Sequence, residues 1–316
     1  MEAYGPPYSA RAVASMSLAT DVGKGTVVQA CRLFGLSRAA WYAAKAEPRP
    51  RRRRAPEPRN GRDRGPGRQP VVSADELRTA IRAVVDEHPA WGVRKVWATL
   101  RRVPYGLRAG TRRIWALMKD MGLCLPPDRS RRSDTRGHVT VELPNRRWAT
   151  DLTTVWTSED GTVAIVPLVD CGCRSALAVD VTKAQDSIAV LAPVRETLVA
   201  HFGSPECVPE GLELRTDHGP QYTGSDCGDL CAEWNVEQTL APVGRPTGNA
   251  VAERLIRTLK EECIWLRDWK TEEEVRAAVA AWMVDYNERR PHQALGWQTP
   301  AERRAERLGK AWRAAA

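Results

Sequence analysis

No run of apolar residues in this 316-residue chain approaches the length that crosses a bilayer. The first residues, Met-Glu-Ala-Tyr-Gly-Pro-Pro, lack the basic and then apolar pattern of a signal peptide. The expectation is a cytoplasmic protein with no membrane partner. Cysteine has no framework: the eight residues, at 31, 124, 171, 173, 207, 227, 231 and 263, follow no repeating spacing, which excludes a disulfide-stapled scaffold. Cys171-Gly-Cys173 and the Cys227/Cys231 pair lack a second ligand pair at zinc-module spacing, so most cysteines are expected as small buried residues. Phenylalanine is nearly absent, two residues against twelve tryptophans. Most tryptophans fall on apolar stripes and core packing is their default; Trp148, three residues before Asp151, is the one to test for stacking on unpaired bases.

Acidic residues are scarce in the first part of the chain. Residues 1–146 hold 29 Lys and Arg against 13 Asp and Glu, a balance of +16, whereas residues 147–316 hold 19 against 26, a balance of −7. Such polarity fits a first part that grips a polyanion and a second part whose chemistry needs acidic groups. With 42% hydrophobic residues the chain has ample material for buried cores.

Residues 27–34 read as a short amphipathic helix, Gly35-Leu36 as a turn and Ser37 as the N-cap of a helix over 38–45, so residues 1–46 form a helix-turn-helix-like segment. Residues 47–70 carry six prolines among nine arginines, Arg51, Arg52, Arg53 and Arg54 among them. No core forms there; the stretch reads as a solvated linker whose arginines lie along phosphates. Residues 71–124 are expected to be a helical DNA-binding module. Ser73 and Glu76 have capping-box spacing, and Leu77, Ile81 and Val84 share a face. A second helix turns Val93, Val96, Trp97 and Leu100 inward. A third turns in Ile114, Leu117, Met118 and Met121 and leaves Arg112, Arg113 and Lys119 outside. A small bundle with a solvated basic face fits the same pattern. Residues 125–146 form a second basic linker.

From residue 147 the pattern changes. Residues 148–156, 163–170 and 175–181 are β-prone runs joined by turns at 158–161 and 171–174, so a three-stranded antiparallel meander is expected. A helix over 187–202, a strand over 212–216, a helix over 226–234 and a strand over 236–240 follow, which together describe a mixed sheet covered by helices. Thr271 and Glu274 cap a further helix with Val275, Val279, Trp282 and Tyr286 as its stripe, and a short helix ends the chain. Residues 147–305 are expected as one α/β core with a C-terminal extension, and 306–316 as a tail.

Three acidic residues carry the chemistry: Asp151 in Trp-Ala-Thr-Asp, Asp217 in Thr-Asp-His-Gly-Pro-Gln-Tyr, and Glu253 in Gly-Asn-Ala-Val-Ala-Glu. Each Asp closes or interrupts a β-prone run, and the Glu has helical surroundings. Carboxylate oxygens suit Mg²⁺, and three carboxylates can hold two ions that activate an attacking hydroxyl and stabilise a departing one at phosphorus. Asn249, Glu253, Arg257 and Lys260 fall on one helical face, so a phosphate at the metals would meet Arg257 and Lys260. An exposed Glu253/Arg257 ion pair would give the same spacing without any function.

These segments resemble a known family. Trp148-Ala-Thr-Asp151, Asp217-His-Gly-Pro-Gln-Tyr222, Gly248-Asn-Ala-Val-Ala-Glu253 with Lys260, and Tyr286-Asn-Glu-Arg-Arg-Pro-His292 with Leu295-Gly296 and Thr299-Pro300 are similar to the second-frame transposases of the IS-three insertion-sequence family. His88-Pro89, Gly92, Arg94, Met118 and Gly122-Leu123 resemble the helical module that precedes the core in that family. The resemblance runs from about residue 25 to about residue 305. It implies an α/β fold with an RNase H-like mixed five-stranded sheet and flanking helices, behind all-α helix-turn-helix-type modules. It also implies a retroviral-integrase-like centre at Asp151, Asp217 and Glu253, with Mg²⁺ or Mn²⁺ as cofactor. The implied partner is double-stranded DNA, as terminal inverted repeats and target, with Lys260 on the donor end. Two ends must meet, so at least a dimer on DNA is expected, within the bacterial nucleoid. In this family an upstream-frame helix-turn-helix product serves as partner or fusion.

The implied activity is cleavage of element ends and transfer of the 3′-hydroxyl to another phosphodiester. A catalytically silent DNA-binding derivative would have lost a metal ligand, and none is lost. A simple RNase H-type nuclease would not need the basic helical half.

Overall fold

The computed structural model describes residues 72–126, 141–242 and 248–315, all within one unit spanning Pro70–Ala316. The helix-turn-helix expected over 27–45 and the linker with Arg51, Arg52, Arg53 and Arg54 lie outside the described residues. Helix α1 (Ala74–Glu87) opens as its spacing predicts: Ser73 Oγ accepts from the Glu76 N–H at 3.1 Å. It packs Leu77, Ile81 and Val84 against α2 (Val93–Leu100) and α3 (Thr111–Asp120). Val96, Leu100, Ile114 and Met118 are buried in this core, and the Trp97 indole N–H reaches the Ala109 carbonyl at 3.1 Å. Arg112 and Lys119 are exposed as expected, but Arg113 is half-buried. Its guanidinium donates to the Val72 carbonyl at 2.9 Å, so it closes the chain entering α1 onto α3 and is withdrawn from the expected DNA-facing set.

The core begins with β1 (Arg147–Thr150) and β2 (Thr153–Thr157), followed by β3 (Gly161–Asp170) and β4 (Ala176–Thr182). Both β1 and β2 pair antiparallel with β3 in one continuous register, so they are a single strand broken at Asp151 and Leu152. That register sets Asp151 opposite Pro167, which has no N–H to offer a ladder. Strand β4 lies on the other side of β3, and β5 (Glu213–Thr216) and β6 (Glu237–Leu240) extend the sheet in parallel from β1. With β1 and β2 counted as one, five strands stand in the RNase H-like order, an antiparallel meander continued by two parallel strands.

Period-two alternation divides the cores. Trp148, Val166, Leu168 and Leu214 face α4 (Ser187–Phe202) and α6 (Ser225–Glu233), which follows the single turn α5 (Pro220–Thr223). Ala149, Val163, Ile165 and Val169 face α7 (Ala250–Glu262) and α8 (Glu272–Glu288). The α8 stripe of Val275, Val279, Trp282 and Tyr286 is buried as the sequence predicts. Trp148 is 1% exposed and stacks on Phe202 at 5.7 Å, so it follows the core default, anchors the α4 side of the sheet and offers no face for a base to stack on. Cys171, Cys173, Cys227 and Cys231 are buried and free, whereas Cys124 and Cys207 are exposed.

The last helix, α9 (Pro300–Ala315), runs longer than a short terminal helix because it has an interior anchor. Asp170 is fully buried; it accepts from the N–H groups of Asn145, Gly172 and Cys173 and meets Arg304 of α9 at 3.1 Å. The turn after β3 needs glycine at 172, where a Cβ would stand 2.1 Å from the Leu143 carbonyl oxygen. Gly172→Ala is therefore expected to lower the unfolding free energy by about 2–4 kcal/mol, read from urea denaturation; an unchanged midpoint would refute this close approach.

Candidate active site

Strand β5 is parallel to β1 and pairs Ala149 with Arg215, so the same register carried two residues further sets Asp217 beside Asp151. Two carboxylates thus stand at the carboxyl ends of neighbouring parallel strands, the edge where α/β sheets gather ligands. Asp217 is folded into a turn: its Oδ1 accepts from the Gly219 N–H at 2.9 Å. A Cβ on residue 219 would stand 3.0 Å from that oxygen, which is why glycine follows here. Asp151 accepts from the Leu152 N–H at 2.8 Å.

Helix α7 brings the third carboxylate. Asn249, its N-cap residue, donates from Nδ2 to the Thr150 carbonyl at 2.9 Å, and Glu253 follows one turn later. Tyr222 is buried beneath the site, with its hydroxyl 3.5 Å from Thr150 Oγ1. Thr150, itself fully buried, therefore ties the segments of all three acids together. Asn249 was expected to contact DNA, but it is 5% exposed and its amide is turned inward, so its place is that of a positioning residue. Thr150 and Tyr222 stand within the two Asp motifs, where the sequence pattern gives neither a task. Thr150 directly precedes Asp151, whereas Tyr222 closes its motif five residues after Asp217 in a polar context, so only Thr150 carries a local signal.

Electrostatics brings the acids into one field. The Asp151 carboxyl is raised from 3.8 to about 6, chiefly by burial and further by the charges of Asp217 and Glu253, while the Leu152 N–H and the Lys260 charge oppose the rise. Burial raises Glu253 as well. Lys260 therefore acts on the site electrostatically, from the same helix as Glu253. Arg257 is exposed on that helix and pairs with Glu261 at 2.7 Å, in place of the Glu253 pairing that the spacing also allowed. His292 is half-buried and bonded to Arg290, a local role.

The donor set fits a divalent cation: three carboxylates, one of them destabilised as an anion by burial and by the other two charges. Their oxygens are more widely spaced than a closed chelate. Among the described residues the set of three ligand atoms within 4.8 Å of one another is Glu87, His88 and Asp285. Arg289 already bridges that cluster, 2.5 Å from Glu87 and 3.5 Å from Asp285, so its charge is compensated within the protein.

Comparison with known proteins gives the following. Residues 142–246 and 235–300 match two models described as an integrase core domain, and residues 73–131 match an HTH-like domain. A protein of insertion element IS407 from Burkholderia multivorans is 28% identical over 278 residues, which cover 87% of this chain and 88% of that protein. The transposase InsD of insertion element IS2 from Escherichia coli is 28% identical over 231 residues, 70% of this chain and 76% of that protein. Among solved structures, the catalytic core domain of BIV integrase aligns at 22% identity and a TM-score of 0.41, over 53% of this chain and 99% of its own. The HTLV-2 integrase catalytic core domain in complex with magnesium aligns at 16% identity and a TM-score of 0.36, over 51% of this chain and 97% of its own.

Two outcomes follow for the protein in a chelating buffer. A carboxyl raised on folding contributes stability that is full below its unfolded pKa and lost as pH rises through the folded value. The wild type should therefore lose about 1–3 kcal/mol between pH 4 and pH 7 through Asp151. In Asp151→Asn that part of the loss disappears, and superimposable pH profiles for the two proteins would contradict it. Asn249→Ala leaves the Thr150 carbonyl without its donor and should cost about 1–3 kcal/mol in denaturant unfolding; a neutral substitution would dismiss the positioning role.

Proposed function

We propose that the chain, which matches integrase core domain models over residues 142–246 and 235–300 and an HTH-like domain over 73–131 and is 28% identical to a transposase of insertion element IS2, is an insertion-sequence transposase of the IS-three family that cuts the ends of its element and joins the freed 3′-hydroxyl to target DNA. The observation that carries this reading is the pairing of Asp151 and Asp217 on adjacent parallel strands with Glu253 held by the Asn249 tie, the charges of Asp217 and Glu253 both bearing on Asp151. Asp151, Asp217 and Glu253 would hold the divalent cations, Mg²⁺ or Mn²⁺ and two per site. When bound, these supply Lewis-acid charge to the attacking and departing oxygens.

The chain's own groups do the rest. Asp151 is a poor anion in the free protein, and two neighbouring negative charges favour whatever cationic charge enters the site. Lys260 faces the same charges from α7 and would hold a phosphate of the donor end; Arg257, exposed three residues earlier, would lie along the same strand. Arg112, exposed on α3 of the helical module, would contact DNA, with Arg51, Arg52, Arg53 and Arg54 as further phosphate contacts. Thr150 and Tyr222 keep the two strand ends in register by packing and hydrogen bonding, without entering the chemistry. Terminal inverted repeats are the proposed substrate, bound by at least two copies of the chain so that two ends are paired. An upstream-frame helix-turn-helix product is the proposed partner or fusion, and the nucleoid the proposed place of action. Among the described residues no helix is long and apolar enough to cross a membrane.

Purified protein with labelled terminal-repeat DNA and Mg²⁺ should yield joined products. Asp217→Asn and Glu253→Gln should each lower joining by about 10²- to 10³-fold or more while DNA binding is kept. Cleavage without joining would indicate a nuclease, binding alone a silent derivative, and wild-type joining by either variant would remove the triad from the mechanism.

A further inference from the structure

Asp151, Asp217 and Glu253 do not line a second, basic cavity among the described residues. A cavity of about 1280 Å³ opens between the start of α2, the start of α7 and the segment after α8, and among the described residues its wall holds seven Lys and Arg side chains and no Asp or Glu. Two carboxylates behind the wall serve four of these cations. Glu262 meets Lys95 at 2.5 Å and Arg290 at 2.8 Å, while Glu213 meets Arg147 at 2.7 Å and Arg215 at 3.8 Å. Arg94, Arg174 and Arg254 have no carboxylate partner among the described residues.

This excess is costly in a half-enclosed space, where like charges repel through a medium of lower dielectric than water. The cations converge: after burial, the charges of Arg290, Lys95, Arg174 and Arg254 together press the His292 imidazole down to about 2. The Arg215 Nε is buried with no acceptor. Both α2 and α7 begin at this wall, and neither Gly92 nor Asn249 makes a side-chain cap bond, so their first N–H groups add partial positive charge. Tyr286 and Trp297 supply flat apolar surface beside the cations.

We infer that this cavity is a binding pocket for clustered phosphates, separate from the three carboxylates and holding its anion by Arg94, Arg174 and Arg254. Successive phosphates of a single DNA strand and a free linear polyphosphate share this chemistry. Because no residue of the triad takes part, the pocket stands or fails independently of the catalytic reading.

The test uses the full chain in chelating buffer, with tripolyphosphate and 5′-phosphorylated tetrathymidylate as separate probes. Arginine modification by phenylglyoxal, read residue by residue by mass spectrometry, should slow at Arg174 and Arg254 by about fivefold or more when a probe is present. It should be unchanged at Arg195, whose partner is Glu233 on the far side of the sheet. Arg174→Gln with Arg254→Gln should fold at least as stably as wild type without anion, since neither side chain gives up a partner, and should lose about tenfold in probe affinity. The charge-matched pair Lys183→Gln with Arg195→Gln should retain it. Protection by tetrathymidylate, with displacement of tripolyphosphate, names a DNA strand as the source; protection by tripolyphosphate alone names a free polyphosphate. Equal protection of all exposed arginines, or unchanged affinity in the Arg174/Arg254 double variant, overturns the pocket.

Discussion

Thr150 holds the site together. Its carbonyl takes the Asn249 amide at 2.9 Å, its hydroxyl lies 3.5 Å from the Tyr222 hydroxyl, and the next residue is Asp151. Segments far apart in sequence are thereby fixed against one buried residue of the central strand. The hydrogen bonds are modest individually, about 0.5–1.5 kcal/mol each, yet leaving either partner unsatisfied in this buried place costs more. Register adds the second constraint. The parallel pairing of β1 with β5 sets Asp217 beside Asp151 with no freedom to slide, because a shift of one residue would turn Trp148 and Ala149 to the wrong cores.

The sheet also separates charge. Acidic groups meet at the carboxyl ends of β1 and β5, while cations crowd the cavity against α2, α7 and the segment after α8. Helix α7 borders both regions: Asn249 lines the cavity and braces β1, Glu253 faces the acids, and Arg254 turns to the cavity. Each region is frustrated in the free protein, one by excess negative charge and the other by excess positive charge. Complementary ions would relieve both, a pattern typical of sites that trade stability for binding.

Much of this was legible in the sequence because it rests on local rules. The period-two runs, the Ser73 and Thr271 caps, the 187–202 helix and the α8 stripe follow from spacing and capping chemistry alone. The break of the first strand at Asp151 was not legible, since it depends on which residue of β3 stands opposite, and that is Pro167. Asn249 was misplaced for a related reason. Helical spacing puts Asn249 in line with Glu253, but an N-cap residue lies outside the helix and can turn inward; strand alternation leaves open which face of Trp148 meets solvent. Arg113 looked like surface until the carbonyl of Val72 came within reach. The basic cavity is assembled from cations spread between residues 94 and 290, and no sequence window could display it.

Two clusters of candidate metal ligands stand among the described residues, the triad and the Glu87, His88, Asp285 cluster. Electron paramagnetic resonance of Mn²⁺ titrated into the DNA-free protein at pH 7.5 separates them most directly. Bound Mn²⁺ should be lost in Asp151→Asn, Asp217→Asn and Glu253→Gln and kept in Glu87→Gln and Asp285→Asn. Retention in all three triad variants, with loss in Glu87→Gln or Asp285→Asn, would contradict the assignment of the catalytic centre.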